Sequence, residues 1–196
     1  MNNGIPDFTK VHDEYRQRIR RYIARLAGEH EADDLTQEVF LKVSRTLSGF
    51  KGDSSLSTWI YKIATNTVLD RMKSPAHRQA ILESLDIDSD GVAPVVDDRP
   101  LSVDQQLVRE QMNECIRGVV EKLSPDYRTV IALSEMEDLK NSEIAEILGV
   151  SLDTVKIRLH RARAALKKEL EGKCDFYRDG RNEFACEPKS SPIKFK

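Results

Sequence analysis

The segment that most constrains this chain is residues 141–170, which fit a short helix, a three-residue turn and a longer helix. Asn141 can cap the first helix and Ser151 the second, because their side-chain oxygens accept hydrogen bonds from unpaired helical N–H groups. Gly149 lies in the turn, where glycine adopts the left-handed conformation that ends many helices. Apolar residues recur at helical spacing along one face of each helix, at Ile144, Ala145, Leu148, Val155, Leu159, Ala162 and Leu166.

The outer face of the second helix is basic. Between residues 151 and 168 there are six Lys or Arg side chains and one acidic side chain, Asp153. In a DNA-binding helix-turn-helix, the second helix enters the major groove and carries such residues. An ordinary helical hairpin with a solvated basic face is the alternative, but the turn glycine and the two caps favour DNA binding.

The length of 196 residues suits one large domain or two small ones. No stretch approaches the roughly 18–20 uncharged residues that a membrane-spanning helix requires, so we expect no membrane insertion. The N-terminus has no signal-peptide core, and three cysteines do not make a disulfide framework in a chain of this size. These features predict a cytoplasmic protein.

The charge of the chain is distributed unevenly around a net value of −2. Residues 1–78 carry 13 basic and 10 acidic side chains, whereas residues 79–108 carry one basic and seven acidic side chains. A protein that binds DNA unaided usually presents an overall basic surface to the phosphates. We therefore expect weak DNA binding by the isolated chain and a larger partner that supplies the remaining affinity.

Helical periodicity predicts an all-α protein of two small domains. Three amphipathic helices, over 8–27, 33–47 and about 57–73, form an N-terminal bundle of three to four helices within residues 5–76, with Asp33 as the cap of the second helix. An acidic linker over 77–101 joins it to a four-helix C-terminal domain over 102–171, which contains the helix-turn-helix. The cysteine-containing tail, 172–196, is predicted to be irregular.

Two signatures in this order resemble the extracytoplasmic-function (ECF) group of bacterial sigma factors, the initiation subunits of RNA polymerase. In the first domain the resemblance rests on residues 33–40, DDLTQEVF, and on residues 50–66, FKGDSSLSTWIYKIATN. In the second it rests on 123–125, LSP; 143–145, EIA; 148–150, LGV; and 154–163, TVKIRLHRAR. The resemblance covers about residues 8–170 and implies a fold of two helical domains.

The resemblance implies that the second helix docks on core RNA polymerase. Its candidate contacts are Asp33, Asp34, Gln37 and Glu38 as polar partners and Phe40 as an apolar anchor. The alternative is a solvated helix start with Phe40 in the core of the domain. A metal site built from the acidic residues is disfavoured, because no histidine or nucleophile accompanies them.

The resemblance also assigns the loop after the second helix, and the helix that follows, to the −10 promoter element. Reading a single strand requires hydrogen bonds to bases pulled from the stack, and asparagine suits adenine edges. Trp59 is interpreted as a core residue, and a plain connecting loop is the alternative for the Gly-Ser segment. The candidate contacts are Lys51, Gly52, Asp53, Ser54, Lys62, Asn66 and Lys73.

For the −35 element, Lys156 and Arg161 are the candidate base contacts, and Ile157 can meet a thymine methyl group. Arg158 and Arg163, on the flanks of this helix face, are predicted to bind phosphates. Such contacts position the helix on DNA without reading its sequence. The full set of predicted −35 contacts is Ser151, Thr154, Lys156, Ile157, Arg158, His160, Arg161 and Arg163.

Two segments outside the domains each allow two interpretations. By the resemblance, the acidic linker follows the RNA path of the polymerase and mimics nucleic acid; otherwise it is a solvated tether. Cys174 and Cys186 in the tail could form a clip that responds to redox state or metal, or they could be incidental thiols.

The sequence thus predicts a non-enzymatic initiation factor without a cofactor. Its predicted partners are core RNA polymerase and promoter DNA, and sequestration by an anti-sigma protein is expected from the resemblance alone. A free-standing helix-turn-helix regulator is the alternative, which the acidic linker and the net charge disfavour. A DNA-processing enzyme such as a recombinase would need a nucleophilic serine or tyrosine beside clustered arginines, and the sequence contains no such constellation.

Overall fold

The computed structural model describes residues 6–74, 116–178 and 184–189 of the chain. The predicted linker, residues 77–101, and the predicted start of the second domain, residues 102–115, lie outside the described residues. In the first domain, helix α1 spans Phe8–Ala27, α2 spans Glu29–Thr46 and α3 spans Leu56–Lys73, with a short 3₁₀ turn at Leu47–Gly49. The predicted N-terminal bundle is therefore present as three helices.

The apolar stripe of α1 forms the centre of this bundle. Its buried residues follow helical spacing, and Tyr22 lies among them with no exposed surface. The Tyr22 hydroxyl shares a 2.8 Å hydrogen bond with Thr65 Oγ1 of α3, and the Tyr22 ring meets the Tyr61 ring edge-on at 5.2 Å. Burial raises the pKa of the Tyr22 phenol well above its usual value.

Two helix starts differ from the sequence prediction. Helix α2 begins at Glu29, because Gly28 adopts a φ of 88° that ends α1 and turns the chain at once. Asp33 therefore lies inside α2 and is not its cap. Helix α3 begins at Leu56, where Ser55 Oγ accepts a 3.0 Å hydrogen bond from the Thr58 N–H.

The helix-turn-helix is confirmed at the predicted position. Helix α4 spans Pro125–Ile131 and continues as a π-helical turn over Ala132–Met136, and α5 spans Asn141–Leu148. Helix α6 spans Leu152–Lys173. A further helical segment over 116–120 precedes α4.

The caps of the helix-turn-helix agree with the prediction at one of the two sites. Ser151 Oγ accepts a 3.2 Å hydrogen bond from the Thr154 N–H, as expected for a cap. Asn141 is instead the first residue of α5. The carboxylate of Glu143 reaches back to the N–H of Lys140 at 2.9 Å and satisfies the start of that helix.

The predicted irregular tail contains a β-hairpin, so this prediction is wrong for the residues concerned. Strand β1, Cys174–Arg178, pairs antiparallel with β2, Phe184–Pro188. The hairpin follows α6 directly, and the N–H of Lys189 donates a 2.8 Å hydrogen bond to the Lys173 carbonyl. The all-α assignment holds for the two domains, to which the hairpin is an addition.

The two domains pack against each other through α3 and α5, with further contacts from α1 to α4. Buried apolar residues of both domains belong to one continuous hydrophobic cluster. Among the residues described, no helix combines the length and apolar character needed to cross a bilayer.

Two glycines give a matched test of the turn. Gly149 has a φ of 64°, a conformation that costs an L-residue about 1–2 kcal/mol, whereas Gly118 lies in a helical segment. A methyl group at either position meets no atom within 4 Å. We expect Gly149→Ala to destabilise the chain by about 1 kcal/mol in urea unfolding, and Gly118→Ala to stabilise it by about 0.5–1 kcal/mol. Equal effects at the two sites would contradict the assigned turn.

Candidate nucleic-acid and partner interfaces

Helix α6 presents the predicted recognition surface to solvent. Val155, Leu159 and Ala162 are buried against the rest of the domain, which fixes the rotation of the helix. The opposite face is therefore exposed, and Ile157 keeps 51% of its surface accessible there. Three other predicted contacts share this exposure: Lys156, His160 and Arg161.

The two flanking arginines are held by acidic residues of the same domain. Arg158 Nη2 lies 3.3 Å from Asp126 Oδ2, and Arg163 Nη2 lies 2.6 Å from Glu135 Oε1. The hydrogen bond from Arg163 lowers the pKa of the Glu135 carboxyl. These ion pairs orient the guanidinium groups beside the recognition face while neutralising part of its charge.

The start of α6 is occupied mainly by its own capping interactions. Ser151 Oγ and Thr154 Oγ1 share a 2.8 Å hydrogen bond, and the Thr154 side chain is half-buried. Asp153 is exposed and lies 3.5 Å from Lys156 Nζ. A carboxylate suits a helix N-terminus electrostatically but repels phosphate, so Asp153 disfavours DNA contact at that end of the helix.

The loop before α3 is exposed at three of its four predicted contact residues. Lys51, Gly52 and Asp53 are exposed, and Ser54 is half-buried. Gly52 has a φ of 77°, a left-handed conformation that favours glycine. Beyond the loop, α3 carries its predicted contacts on one exposed face: Lys62, Asn66 and Lys73.

Trp59 is half-buried, with its ring centroid 5.4 Å from that of Phe50. The indole therefore packs against Phe50 at the start of the loop. This placement agrees with its interpretation as part of the core.

On α2, the structure separates the predicted docking residues into two groups. Asp34, Gln37 and Glu38 are exposed, whereas Asp33 is bound by Arg20 through hydrogen bonds of 2.8 and 3.2 Å. Phe40 keeps only 5% of its surface exposed, and its ring packs edge-on against the ring of His12 in α1. The prediction of Phe40 as a docking anchor is wrong, because the residue belongs to the domain core.

The apolar residue that the same face does expose is Leu41, with 55% of its surface accessible. Residues 34, 37, 38 and 41 are spaced three, four and seven apart, so they share one side of the helix. Counting helical phase from Asp34 would have identified Leu41, whereas the sequence prediction took Phe40 from the segment that carries the family resemblance.

Sequence reasoning also missed a polar contact between the two domains. The carboxylate of Glu137 is only 9% exposed, although it follows directly after the π-helical turn. Arg25 Nη1 donates a 2.7 Å hydrogen bond to its Oε1, and the Tyr61 hydroxyl donates to its Oε2. Arg18 Nη2 lies 3.9 Å from Oε2. No sequence motif marks Glu137, because all three partners come from the other domain.

Two further hydrogen bonds flank this contact. Thr58 Oγ1 donates to Glu143 Oε1 at 3.1 Å, and Arg128 Nη1 donates to the Leu26 carbonyl at 2.9 Å. Burial raises the pKa of the Tyr61 phenol, and the nearby charge of Glu137 raises it further. Burial also lowers the pKa of Arg128, whose Nε lacks a hydrogen-bond partner among the described residues.

The tail cysteines lie on the two strands of the hairpin. Cys174 is buried and pairs with Pro188, while Cys186 pairs with Phe176. The two cysteines are therefore diagonal neighbours across the hairpin. In the part of the chain that the structure describes, no group of three or more His, Cys, Asp or Glu side chains could hold a metal ion.

Comparison with known proteins agrees with this arrangement. The family model for Sigma-70 region 2 matches residues 11–78, and that for Sigma-70, region 4, matches residues 113–166. The ECF RNA polymerase sigma factor SigW of Bacillus subtilis is 34% identical, over 83% of this chain and 88% of SigW. This chain belongs to the ECF family of RNA polymerase sigma factors.

A second relative of this sigma factor, YlaC of Bacillus subtilis, is 35% identical over 82% of this chain and 90% of YlaC. Among solved structures, the sigma factor RpoE of Bartonella quintana, in complex with the anti-sigma factor NepR, matches 84% of this chain and 97% of its own. At a TM-score of 0.67 and 22% identity, this likeness shows that the fold is shared.

The contact between Arg20 and Asp33 predicts a pH-dependent coupling. The hydrogen bond from Arg20 lowers the pKa of Asp33 below its usual 3.8, so the contact stabilises the fold above that pH and is lost as the pH falls through the lowered pKa. A double-mutant cycle with Arg20→Gln and Asp33→Asn, measured by urea unfolding, should give favourable coupling at pH 7 and markedly weaker coupling at pH 3. Coupling that is absent at pH 7, or undiminished at pH 3, would contradict this assignment.

Proposed function

We propose that this sigma factor binds core RNA polymerase through the exposed face of α2 and directs it to promoters through α3 and α6. The observation that carries the proposal is the exposed face of α6, where an apolar residue, Ile157, lies among Lys156, His160 and Arg161. On a helix face that contacts only water, an exposed isoleucine gains nothing. In the major groove its side chain can pack against a thymine methyl group.

At the −35 element, α6 enters the major groove with Lys156 and Arg161 near base edges. Arg158 and Arg163 grip phosphates on either side and fix the register of the helix. Their ion pairs with Asp126 and Glu135 support this role, because they hold long side chains in place before DNA arrives.

At the −10 element, the loop at Gly52 and the exposed face of α3 hold unpaired bases of the non-template strand. Lys62 and Lys73 attract the backbone, and Asn66 offers both a donor and an acceptor to a base edge. Trapping bases that have left the stack shifts the DNA toward the melted form. Binding energy therefore drives opening without catalysis by this chain, and no cofactor is required.

The docking face of α2 combines Asp34, Gln37 and Glu38 with the apolar Leu41. An exposed leucine inside a ring of polar side chains fits the usual form of a protein interface, in which a buried apolar centre has a polar rim. The proposal also places the protein in the bacterial cytoplasm, where RNA polymerase acts. By analogy with the complex of RpoE with NepR, it includes an anti-sigma protein as a regulatory partner.

Reconstitution tests the proposed function. The purified chain is mixed with sigma-free core polymerase and promoter fragments, and open complexes are scored by permanganate reactivity of unpaired thymines. We expect melting only when chain, core and promoter are all present. If the chain does not associate with core polymerase and instead footprints duplex DNA alone, it acts as a free-standing regulator.

Leu41→Ala tests the docking face of α2. Removing an exposed side chain leaves the fold intact, while loss of an interface anchor should weaken binding to core polymerase by about tenfold or more. Leu152→Ala is the matched control, because Leu152 is also exposed, at 42%, but lies in the second domain. Equal affinity of the two variants for core polymerase would contradict the role of Leu41.

Ile157→Ala and Arg163→Gln separate base reading from phosphate binding at the −35 element. We expect Ile157→Ala to weaken binding of the polymerase complex to the cognate duplex by roughly fivefold, as for a lost apolar contact of about 1 kcal/mol, with an unchanged salt dependence. Arg163→Gln should weaken binding to all sequences similarly and reduce the slope of log affinity against log salt by about one. The same salt slope for both variants would show that the two residues do not divide the roles in this way.

A further inference from the structure

Lys42 is a cation of the first domain to which the proposed docking and promoter-binding surfaces assign no role. It lies in α2, four positions after Glu38, and 42% of its side chain is exposed. Its ammonium group lies 2.8 Å from Glu38 Oε1 and donates a 3.0 Å hydrogen bond to Thr67 Oγ1 of α3. Lys42 therefore contacts a residue of the proposed docking face and a residue of the proposed −10 helix at the same time.

The phase of the two helices explains this position. At about 100° per residue, Lys42 is a quarter turn around α2 from the exposed Leu41, on the side that meets α3. On α3, the buried Thr67 directly follows Asn66, which is exposed on the proposed DNA-binding face. Lys42 thus lies at the boundary between the two faces, and its flexible four-carbon stem lets the ammonium group move from one to the other.

The pair with Glu38 can be exchanged for another anion. Half of the Glu38 side chain is exposed, and pairs of this kind at the surface contribute little because water screens both charges. The Thr67 hydroxyl donates a 2.8 Å hydrogen bond to the Ile63 carbonyl, so it holds the ammonium group as a neutral acceptor and does not balance its charge. Among the residues that the structure describes, Glu38 supplies the carboxylate that pairs with Lys42.

Arg71 of α3 shows that the carboxylates of α2 act on the cations of the neighbouring helix. Its guanidinium group donates hydrogen bonds of 2.9 and 3.4 Å to Glu31. These bonds raise the pKa of Arg71, and the charges of Glu38 and Asp34 raise it further. Acids of the docking face therefore stabilise positive charge beside α3, and a partner that neutralises those acids weakens their hold on it.

We propose that Lys42 is a further contact to the phosphates of the −10 strand, which Glu38 restrains in the free chain and which docking on polymerase releases. This inference rests on the proposed function, in which Glu38 is a docking residue. A basic group of the polymerase that pairs with Glu38 displaces the ammonium group of Lys42. That group then binds a phosphate of the strand held along α3, so one exchange of ion pairs adds DNA affinity only in the assembled complex.

The free chain tests the restraint on Lys42 without polymerase. The probe is fluorescein-labelled oligothymidylate of about 12 nucleotides, because a phosphate contact does not depend on sequence. Glu38→Gln imitates docking by removing the charge of the carboxylate. We expect it to raise the affinity about threefold at low salt and to steepen the slope of log affinity against log salt by about 0.7, the value for one phosphate of a single strand.

Two comparisons assign this gain to Lys42. In a chain that already carries Lys42→Gln, the change Glu38→Gln should leave the salt slope unaltered. Glu14→Gln is the control for loss of one negative charge, because Glu14 is an exposed acid of α1 in the same domain. It should also leave the slope unaltered.

The assembled complex gives the second test. With core polymerase bound, Lys42→Gln should lower the affinity for the same probe about threefold and reduce the salt slope by about 0.7, whereas in the free chain it should change neither. Lys42→Arg keeps the charge and should restore both values. The slope separates a phosphate contact from a purely structural effect, because a loss of packing does not change the number of phosphates bound.

An equal effect of Lys42→Gln in the free chain and in the complex would overturn the proposal. So would the absence of a gain from Glu38→Gln, or a gain that persists without Lys42. Circular dichroism checks that each variant is folded, and if Lys42→Gln is not, the slopes of Glu38→Gln and Glu14→Gln decide alone. If the wild-type chain does not bind core polymerase, the proposed function fails, while the free-chain comparison still shows whether Glu38 restrains Lys42.

Discussion

The contact between the two domains combines a continuous apolar cluster with the nearly buried carboxylate of Glu137. This carboxylate lies just after the π-helical turn, and its hydrogen-bond donors, Arg25 and Tyr61, belong to the three-helix bundle. The Tyr61 ring also packs against Tyr22 at the centre of that bundle. The polar contact between the domains therefore joins directly onto the core of the first.

Local pairing of charge explains how a chain with a net charge of −2 can carry a recognition helix. Arg158 and Arg163 are neutralised by acidic groups of their own domain, and Lys156 lies near Asp153. DNA must compete with these pairs, so the recognition helix alone gains little electrostatic affinity. Under the proposed function, promoter binding then depends on both domains together, with polymerase holding them in place.

Sequence patterns predicted the helices and the helix-turn-helix well, because apolar periodicity and the Ser151 cap are local signals. They failed where burial of a side chain depends on its exact position around the helix, or on a partner that is distant in the sequence. Phe40 was offered as a docking anchor through the family resemblance, with a core position as the alternative, and Leu41 was overlooked although the phase of α2 exposes it. Glu137 resembles any other acidic residue in a polar turn, since its partners are more than 70 positions away in sequence. The tail hairpin was missed because its short strands carry weak local signals.

The most direct measurement is the distance between the domains in the free chain and in the working complex. Spin labels on α1 and α5 give a distance distribution by pulsed electron resonance, first alone and then after addition of core polymerase and promoter DNA. A closed chain that opens on assembly predicts one short, narrow distribution for the free protein and a shift of tens of ångströms in the complex. A free chain that already shows the long distance, or a complex that keeps the short one, would contradict this account of the domain contact.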